Sequence, residues 1–581
     1  MSQQTYNRQV DQRAQQMLEA YYKTGTYRSL WGFHAALACK ADPQELVQLT
    51  DRELEPGPFN IIPGILLLCR WDDRIPTAAV APIKRMFTDS LQQRGNTENH
   101  WLMFYVGNLL AAERWADEPL FWNGLPPAAL HAEASRWLLG TIARTATMGH
   151  YEYDSTGYHN EHFVPYLALA EHASDPHMRH QARQMVELLL ADMALEYFHG
   201  AYAGGHSREG NVNTWTQVGP GQALNYLYFG DEEFDPQRHC QGYAAPAVAA
   251  RYRPPALLAE LALDRRVPHI VRKTKAPRAI YRHLDHPPEP VRKYTYMSRS
   301  FALGSTQTGL PGAPAGPIDL TAWDLTWTGP RHQAKICCNH PYRSPRRFSA
   351  FLPEVPQRVG RSVATGKPFL QVPDRLFGAS PYERMMQHQG TLIALYQIPP
   401  SDEAPYVNCF LPKGHAWQEQ GGWLFADMND FCVGVRPIGP YRWEDIHEAG
   451  KDGNWIDGWL LRIDDCNAGF VMEAVEMEDV GSLESYRSAR CNAPFDLTGW
   501  PDKGRVAMDT FAGVRLDMEY AGPHRIDGQA IDYSAYPLLD APGVEAPLGS
   551  GRVAFQRGDQ RLALNFGIDP EAAPLPMRVI G

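Results

Sequence analysis

The chain has 581 residues, which is too long for one hydrophobic core, so two or three domains are expected. Its hydrophobic content of 44% and charged content of 21% are those of an ordinary globular protein, and they exclude a disordered or fibrous chain. The net charge of -11 excludes general affinity for nucleic acid, because such binding needs a basic surface that displaces counterions from phosphates.

The cysteines and the first residues predict a cytoplasmic protein. The chain has 9 cysteines without a CxxC pair, and adjacent cysteines such as Cys337 and Cys338 rarely meet disulfide geometry, so reduced thiols are expected. The start, MSQQTYNRQVDQRAQQ, lacks the apolar region of a signal peptide, and a periplasmic or secreted location stays open if a leader has been removed. The apolar run FNIIPGILLLC is too short to span a bilayer, so no membrane partner is expected.

Residues 1–265 have the periodicity of helices. Thr97 is a predicted N-cap with Glu98 in the first turn, and Asp175 followed by Pro176 predicts the start of another helix. Because the connectors are short, successive helices are expected to pack as antiparallel hairpins. Apolar residues recur at i, i+3, i+4 and i+7 in the segments AQQMLEAYY, PIKRMFTDSLQQ, HWLMFYVGNLLAAERW, PAALHAEASRWLLGTIART, FVPYLALAEHA and MRHQARQMVELLLADMALEYF.

The period changes to two in the second half. The basic, proline-rich stretch 266–293 is predicted to be a linker. From 294 to 581, short alternating segments separated by Gly, Pro, Asp and Asn predict antiparallel strands. Many strands without intervening helices indicate a β-sandwich. The predicted fold is therefore α+β and multidomain, with a domain of helical hairpins at 1–265 and an antiparallel β-sandwich domain at 294–581.

The first polar motif is TENHW at 97–101. If a helix begins after Thr97, then Glu98, Asn99 and His100 occupy its first turn. Free backbone N–H groups and an Asn amide at this position can hold a carboxylate or an oxyanion. The alternative is structural: Glu98 compensates the helix dipole, Asn99 faces solvent, and His100 is a partly buried packing residue.

The second motif is GHYEYDSTGYHNEHF at 149–163. Its glycines predict a loop that leads into a helix, and functional residues concentrate on such loops. Tyr158 and His159 are candidate catalytic residues, because a neighbouring positive charge makes a tyrosine usable as a base. Glu152 and Tyr153, together with Glu98 of the first motif, are candidate substrate-binding residues. The alternative reading is that the tyrosines are ordinary wall residues.

The third motif is GAYAGGHSREGNVNTWTQ at 200–217. His206 is a candidate catalytic residue, Arg208 can pair bidentately with a carboxylate, and Trp215 offers a face for stacking on a sugar. A glycine-rich connector between helices is the alternative. In the second half, His332 is a further candidate for substrate binding.

No cofactor is expected from the motifs. The chain lacks a Walker A sequence, a dinucleotide fingerprint between a strand and a helix, and a GxSxG elbow. HxH and HExxH spacings are also absent, so no metal is expected. A structural metal bound by His332, His340 or His388 together with an Asp is the alternative.

The motifs resemble those of the heparinase II/III-type polysaccharide lyases. The resemblance is carried by TENH, YEYDSTGYH and ASDPHMRHQARQMVELLLADMA, together with the strand-rich second half. It implies an (α/α) toroid followed by an antiparallel β-sandwich. It also implies β-elimination on an acidic oligo- or polysaccharide that contains uronic acid, and a homodimer is left open.

The resemblance also implies roles for particular residues. In such lyases an Asn or His neutralises the C5 carboxylate, a Tyr or His removes the C5 proton, and a Tyr protonates the leaving oxygen. Asn99 and His100 match the neutralising position, with Arg208 as a helper. Tyr158 matches the base or acid, with His159 or His206 as its partner.

Two other functions compete with the lyase. Glu98 paired with Glu152 or Asp154 could act as acid and base in an (α/α)-toroid glycoside hydrolase. A non-catalytic carbohydrate-binding protein with an aromatic-lined groove is the third. An unsaturated uronate absorbs ultraviolet light, whereas hydrolysis yields reducing ends without absorbance and binding yields neither.

Overall fold

The computed structural model describes residues 1–51, 54–95, 97–150, 152, 154–207, 220–276, 290–307, 320–329, 334–340, 380, 382–402, 404–449 and 455–568. Helices occupy the N-terminal half and antiparallel sheets the C-terminal half, as predicted. The chain divides into two compact units. The helical unit comprises 1–200, 218–263 and 543–576, and the sheet unit comprises 201–217, 264–542 and 577–581.

The helical unit begins with long helices that start at capping residues. Thr97 and Asp175 accept hydrogen bonds from first-turn backbone N–H groups, which confirms both predicted caps. Among the described residues, no helix is both long enough and apolar enough to cross a membrane. The helices of this unit are α1 (Gln3–Thr24), α2 (Phe33–Ala38), α3 (Gln44–Thr50), α4 (Pro58–Arg70), α5 (Thr77–Thr88), α6 (Glu98–Arg114), α7 (Pro127–Met148), α8 (His159–His172), α9 (Pro176–Leu195), α10 (Pro220–Tyr228), α11 (Pro236–His239), α12 (Ala245–Val248) and α13 (Ala256–Leu263).

Helix α6 lies at the centre of the helical unit. It packs against α4, α7 and α8, and α8 packs in turn against α9. Most residues of α6 are buried on every face, as expected for a helix without a polar side. The first turns of α6 and α8 are therefore held inside the unit, and this placement positions the polar motifs.

The strands of the chain are short and pair antiparallel. They are β1 (Tyr197–Phe198), β2 (Ala201–Tyr202), β3 (His206–Ser207), β4 (His269–Lys275), β5 (Val291–Met297), β6 (Phe301–Thr306), β7 (Leu320–Thr321), β8 (Trp323–Trp327), β9 (Lys335–Asn339), β10 (Glu383–His388), β11 (Thr391–Gln397), β12 (Val407–Pro412), β13 (Gln418–Gln420), β14 (Trp423–Asp427), β15 (Phe431–Ile438), β16 (Arg442–Ala449), β17 (Trp455–Ile463), β18 (Asn467–Glu476), β19 (Phe495–Asp496), β20 (Arg505–Asp509), β21 (Arg515–Glu519), β22 (His524–Ile526), β23 (Gln529–Ala530), β24 (Leu539–Ala541), β25 (Val544–Ala546), β26 (Arg552–Arg557) and β27 (Gln560–Asn565).

The described residues of the sheet unit form three larger sheets. In this unit the first has the strand order β16-β17-β12-β9-β8-β6-β5-β4-β24, the second β10-β11-β18-β15-β14-β13, and the third β19-β20-β21-β22-β23. Side chains of the first and second sheets meet at Phe301 and Phe431, whose ring centroids are 5.0 Å apart. The second and third sheets share an apolar core that includes Ile393, Trp423 and Met508. Short helices α14 (Met477–Val480), α15 (Leu483–Asn492) and α16 (Trp500–Lys503) complete the unit.

Two stretches differ from the sequence expectation. The predicted linker contains β4, which pairs along its whole length with β5, and its basic residues concealed the strand pattern. The predicted linker also contains the first residues of β5, and its residues 277–289 lie outside the described residues. Strands β25–β27, within the predicted sandwich, belong to the helical unit. There they pack against α9 and α13, because their buried face, which includes Phe555, covers those helices.

Candidate functional site

The first two polar motifs lie together in the helical unit. The Glu98 carboxylate accepts a hydrogen bond from the backbone N–H of Glu152 at 2.9 Å. The Glu152 carboxylate in turn accepts one from the backbone N–H of Asn99 at 2.8 Å. This reciprocal pair ties the first turn of α6 to the loop 149–158 that precedes α8, and it satisfies an N–H group that a helix start leaves without an intrahelical partner.

Two imidazoles face the Glu98 carboxylate. His150 Nδ1 lies 3.6 Å from one carboxylate oxygen, and His162 Nε2 lies 3.5 Å from the other. His162 Nε2 is also 3.7 Å from the Glu152 carboxylate. All four side chains are buried. Among the described residues, Glu98, His150 and His162 are the one group of His, Cys, Asp or Glu side chains spaced to hold a metal ion.

The charges in this cluster depend on one another. Burial by itself would raise the pKa of Glu98, but the facing imidazoles of His150 and His162 outweigh it and hold the pKa well below its usual range. Burial would lower the pKa of His162, but the Glu98 and Glu152 carboxylates outweigh it and raise the pKa. The Glu98 carboxylate therefore stays ionised, and it needs a positive partner inside the protein.

Asn99 is enclosed by the protein. Its amide donates a hydrogen bond to the Glu161 carboxylate, and its carbonyl oxygen accepts one from the Thr97 hydroxyl. Its exposed fraction is 0%, so the alternative in which Asn99 faces solvent is wrong. The side chain orients Glu161 and the first turn of α6.

Tyr158 and His159 begin α8 in different environments. Tyr158 is half-buried and precedes the first residue of the helix. Its backbone N–H donates to the Ser155 hydroxyl at 3.0 Å, and its carbonyl oxygen lies 3.1 Å from His162 Nδ1. His159 is buried, and its burial lowers the pKa to about 3 despite the nearby Asp192 carboxylate. His159 is therefore neutral near pH 7 and is not the positive charge expected beside Tyr158.

His100 is partly exposed to solvent and packs against an aromatic ring. The side chain is half-buried, and its ring centroid lies 5.2 Å from that of Phe59 in an edge-on arrangement. Gly95 has φ of 74°, and a Cβ atom there would lie 2.3 Å from His100 Nδ1. Only glycine fits this position, because any side chain would displace the imidazole.

His206 belongs to a buried ion-pair cluster in the sheet unit. Its Nε2 lies 3.1 Å from the Asp324 carboxylate, which also accepts a hydrogen bond from the backbone N–H of Gly204 at 2.7 Å. The Lys335 ammonium pairs with the same carboxylate. Burial would raise the pKa of Asp324, but the charge of Lys335 and the bond to His206 lower it. His206, which was predicted to be catalytic, thus pairs with a buried carboxylate that the sequence did not identify as its partner.

Several predicted residues have no described geometry. Tyr153, Arg208, Trp215 and His332 lie outside the described residues. His340, proposed for a structural metal, has its ring nitrogens 2.8 Å from the Ser380 hydroxyl and from a backbone carbonyl oxygen. Those two contacts occupy both nitrogens, so they do not favour metal binding by His340.

Three buried side chains of the motifs contact other site residues but were not predicted to belong to the site. His150 and His162 face the Glu98 carboxylate and Glu161 accepts a hydrogen bond from the Asn99 amide, yet none of the three was a candidate site residue. The available signal was spacing, since a residue at i+4 on a helix lies over residue i, as His162 does over Tyr158.

Comparison with known proteins adds no assignment. No protein-family model matches the chain, and a search of curated proteins finds no match. The function is therefore inferred from the geometry of the site and from the resemblance of its motifs.

Proposed function

We propose that the protein is a polysaccharide lyase that cleaves a uronic-acid-containing glycan by β-elimination. In this proposal the helical unit is an (α/α) toroid and the sheet unit an antiparallel β-sandwich, as the resemblance to the heparinase II/III type implies. The observation that carries it is the position of Tyr158, which is half-buried at the start of α8 and whose backbone carbonyl oxygen contacts His162 of the buried His and Glu cluster.

Tyr158 is the proposed base. Tyr158 precedes the first residue of α8, whose N-terminus carries a partial positive charge. As phenolate, Tyr158 removes the C5 proton of the uronate. The resulting phenol then returns a proton to the leaving glycosidic oxygen, so one residue serves both steps.

The C5 proton is acidic only when the neighbouring carboxylate is masked, because negative charge develops there in the transition state. His100 is half-buried and is the proposed contact for that carboxylate. Asn99 is fully buried and acts as a positioning residue, since it holds Glu161 and the turn that carries His100. Tyr153, Arg208, Trp215 and His332 remain predicted substrate contacts.

The spacing and burial of Glu98, Glu152 and Asp154 do not favour a glycoside hydrolase. The two carboxyl groups of a glycoside hydrolase stand about 5 to 9.5 Å apart across the sugar bond. Glu98 and Glu152 instead face the same nitrogen of His162, at 3.5 and 3.7 Å, and are 3% and 1% exposed. Asp154 is 0% exposed. A sugar has no space between such side chains, whereas a lyase needs no carboxylate pair.

The test is an activity screen of the full chain over uronate polymers. Ultraviolet absorbance and reducing ends are followed in the same reaction. The lyase predicts that both rise together, in equal molar amounts. Reducing ends without absorbance would replace the proposal with the hydrolase, and binding of a polymer without either signal would replace it with a carbohydrate-binding protein.

A further inference from the structure

The buried cluster has distances that hydrogen bonds do not explain. The separations from Glu98 to His150 and His162, and from Glu152 to His162, are 3.6, 3.5 and 3.7 Å. Hydrogen bonds from an imidazolium to a carboxylate are shorter, about 2.7 to 2.9 Å. The side chains are close to one another, but their nitrogen and oxygen atoms are farther apart than in such hydrogen bonds.

His162 is oriented as a ligand. Its Nδ1 lies 3.1 Å from the Tyr158 carbonyl oxygen, which can only accept, so Nδ1 carries the proton. In the neutral imidazole that a metal ion requires, Nε2 then presents its lone pair to the cluster, where it makes no hydrogen bond. The side chain is 2% exposed, so water does not reach it from outside. A hydrogen bond from the second nitrogen to a carbonyl is the usual arrangement of a metal-binding histidine.

The spacing fits a shared cation. Two donor atoms that each lie about 2.1 Å from a tetrahedral ion are about 3.4 Å apart. The measured separations are close to that value, and one ligand atom from each of Glu98, His150 and His162 lies within 4.8 Å of the others. We propose that Glu98, His150 and His162 bind one divalent transition-metal ion of the zinc class.

The ligand set selects the kind of ion. Two imidazoles with one carboxylate suit zinc, cobalt, manganese or iron, whereas calcium and magnesium prefer oxygen ligands alone. The carboxylates are held by backbone N–H groups of Glu152 and Asn99, so they are already oriented. A dication also balances carboxylates that are buried together.

The site joins three segments of the helical unit: the start of α6, the loop 149–158 and α8. Metal binding is therefore expected to stabilise the folded chain, because the unfolded chain has no preformed site. The inference goes beyond the lyase and does not depend on it, since it concerns ligands and an ion rather than a reaction.

The first test measures zinc binding to the full chain after treatment with a chelator. A chromophoric chelator competes for Zn²⁺, and bound metal is counted by mass spectrometry. We expect one tightly bound ion per chain in the wild type and at least about a tenfold loss of affinity in His162→Gln. His131→Gln is the matched control, because His131 also faces a glutamate, Glu113, at 3.1 Å in the same unit. It is expected to bind as the wild type does.

A second measurement covers the case in which His162→Gln fails to fold. The wild-type chain is loaded with Co²⁺, and X-ray absorption identifies the ligand atoms. Nitrogen and oxygen ligands with two imidazoles are expected. Sulfur ligands would place the ion at the cysteines and overturn the proposal, as would wild-type affinity in a folded His162→Gln or absence of stoichiometric binding. Each of these results is independent of whether the glycan assay shows lyase activity.

Discussion

Replacement of His159 tests the electrostatics of the site quantitatively. Burial lowers the pKa of this imidazole to about 3, from a usual value of about 6.5. Between these values the unfolded chain binds a proton that the folded chain does not, so stability is present above pH 6.5 and is lost as the pH falls. Each unit of pH below about 6.5 lowers the free energy of unfolding by about 1.4 kcal/mol, so the loss at pH 5 is about 2 kcal/mol.

The variant His159→Gln lacks this loss. For a unit of this size, 1 kcal/mol corresponds to about 2 to 4 °C in melting temperature. Between pH 7.5 and pH 5, the wild-type melting temperature should therefore fall by about 4 to 8 °C more than that of the variant. Thermal unfolding at both pH values measures the difference, with the exposed His180→Gln as a control for removal of one imidazole. An equal fall in melting temperature for the wild type and His159→Gln would show that the buried imidazole of His159 does not cause the loss of stability.

Three further predictions concern other buried groups. Burial raises the pKa of Glu383 to about 8, so the wild type loses up to about 5 kcal/mol of stability as the pH rises from 4.5 through 8. Glu383→Gln should show no such loss when denatured at pH 5 and pH 8.5, and a parallel loss in the variant would contradict this. Lys335→Met leaves Asp324 buried without its ammonium partner and should cost about 3 to 5 kcal/mol, whereas Arg272→Met, at an exposed ion pair, should cost less than about 1 kcal/mol in the same denaturation assay. Asn99→Ala should lower kcat on a cleaved polymer on the order of 100-fold with little change in KM, because the residue positions the site without contacting substrate, and a change in KM alone would assign it to binding.

The helices of the N-terminal half could be predicted from local sequence signals. The caps at Thr97 and Asp175 need only the side chain and the next few residues, so sequence reasoning located both helix starts. The strand β4 could not be recognised in the same way. Its buried Lys273 and Lys275 conceal the alternation, and only pairing with β5 stabilises it.

The site was only partly predictable. The roles that the resemblance implies for residues of the motifs at 97–101 and 149–163 require these motifs to lie close together, but burial and hydrogen-bond direction come from tertiary packing. Asn99 was expected to meet substrate, yet it is enclosed by Thr97 and Glu161. The partner of His206 is Asp324, which is far along the chain, and no local pattern connects the two.

The central claim is that Tyr158 removes the uronate proton. The decisive measurement is the ultraviolet absorbance produced by Tyr158→Phe on the polymer that the wild type cleaves, with Tyr226→Phe as the control because its hydroxyl bonds Gln16 elsewhere in the helical unit. We expect that Tyr158→Phe folds and yields no absorbance, while Tyr226→Phe keeps the wild-type rate. A wild-type rate in folded Tyr158→Phe would contradict it.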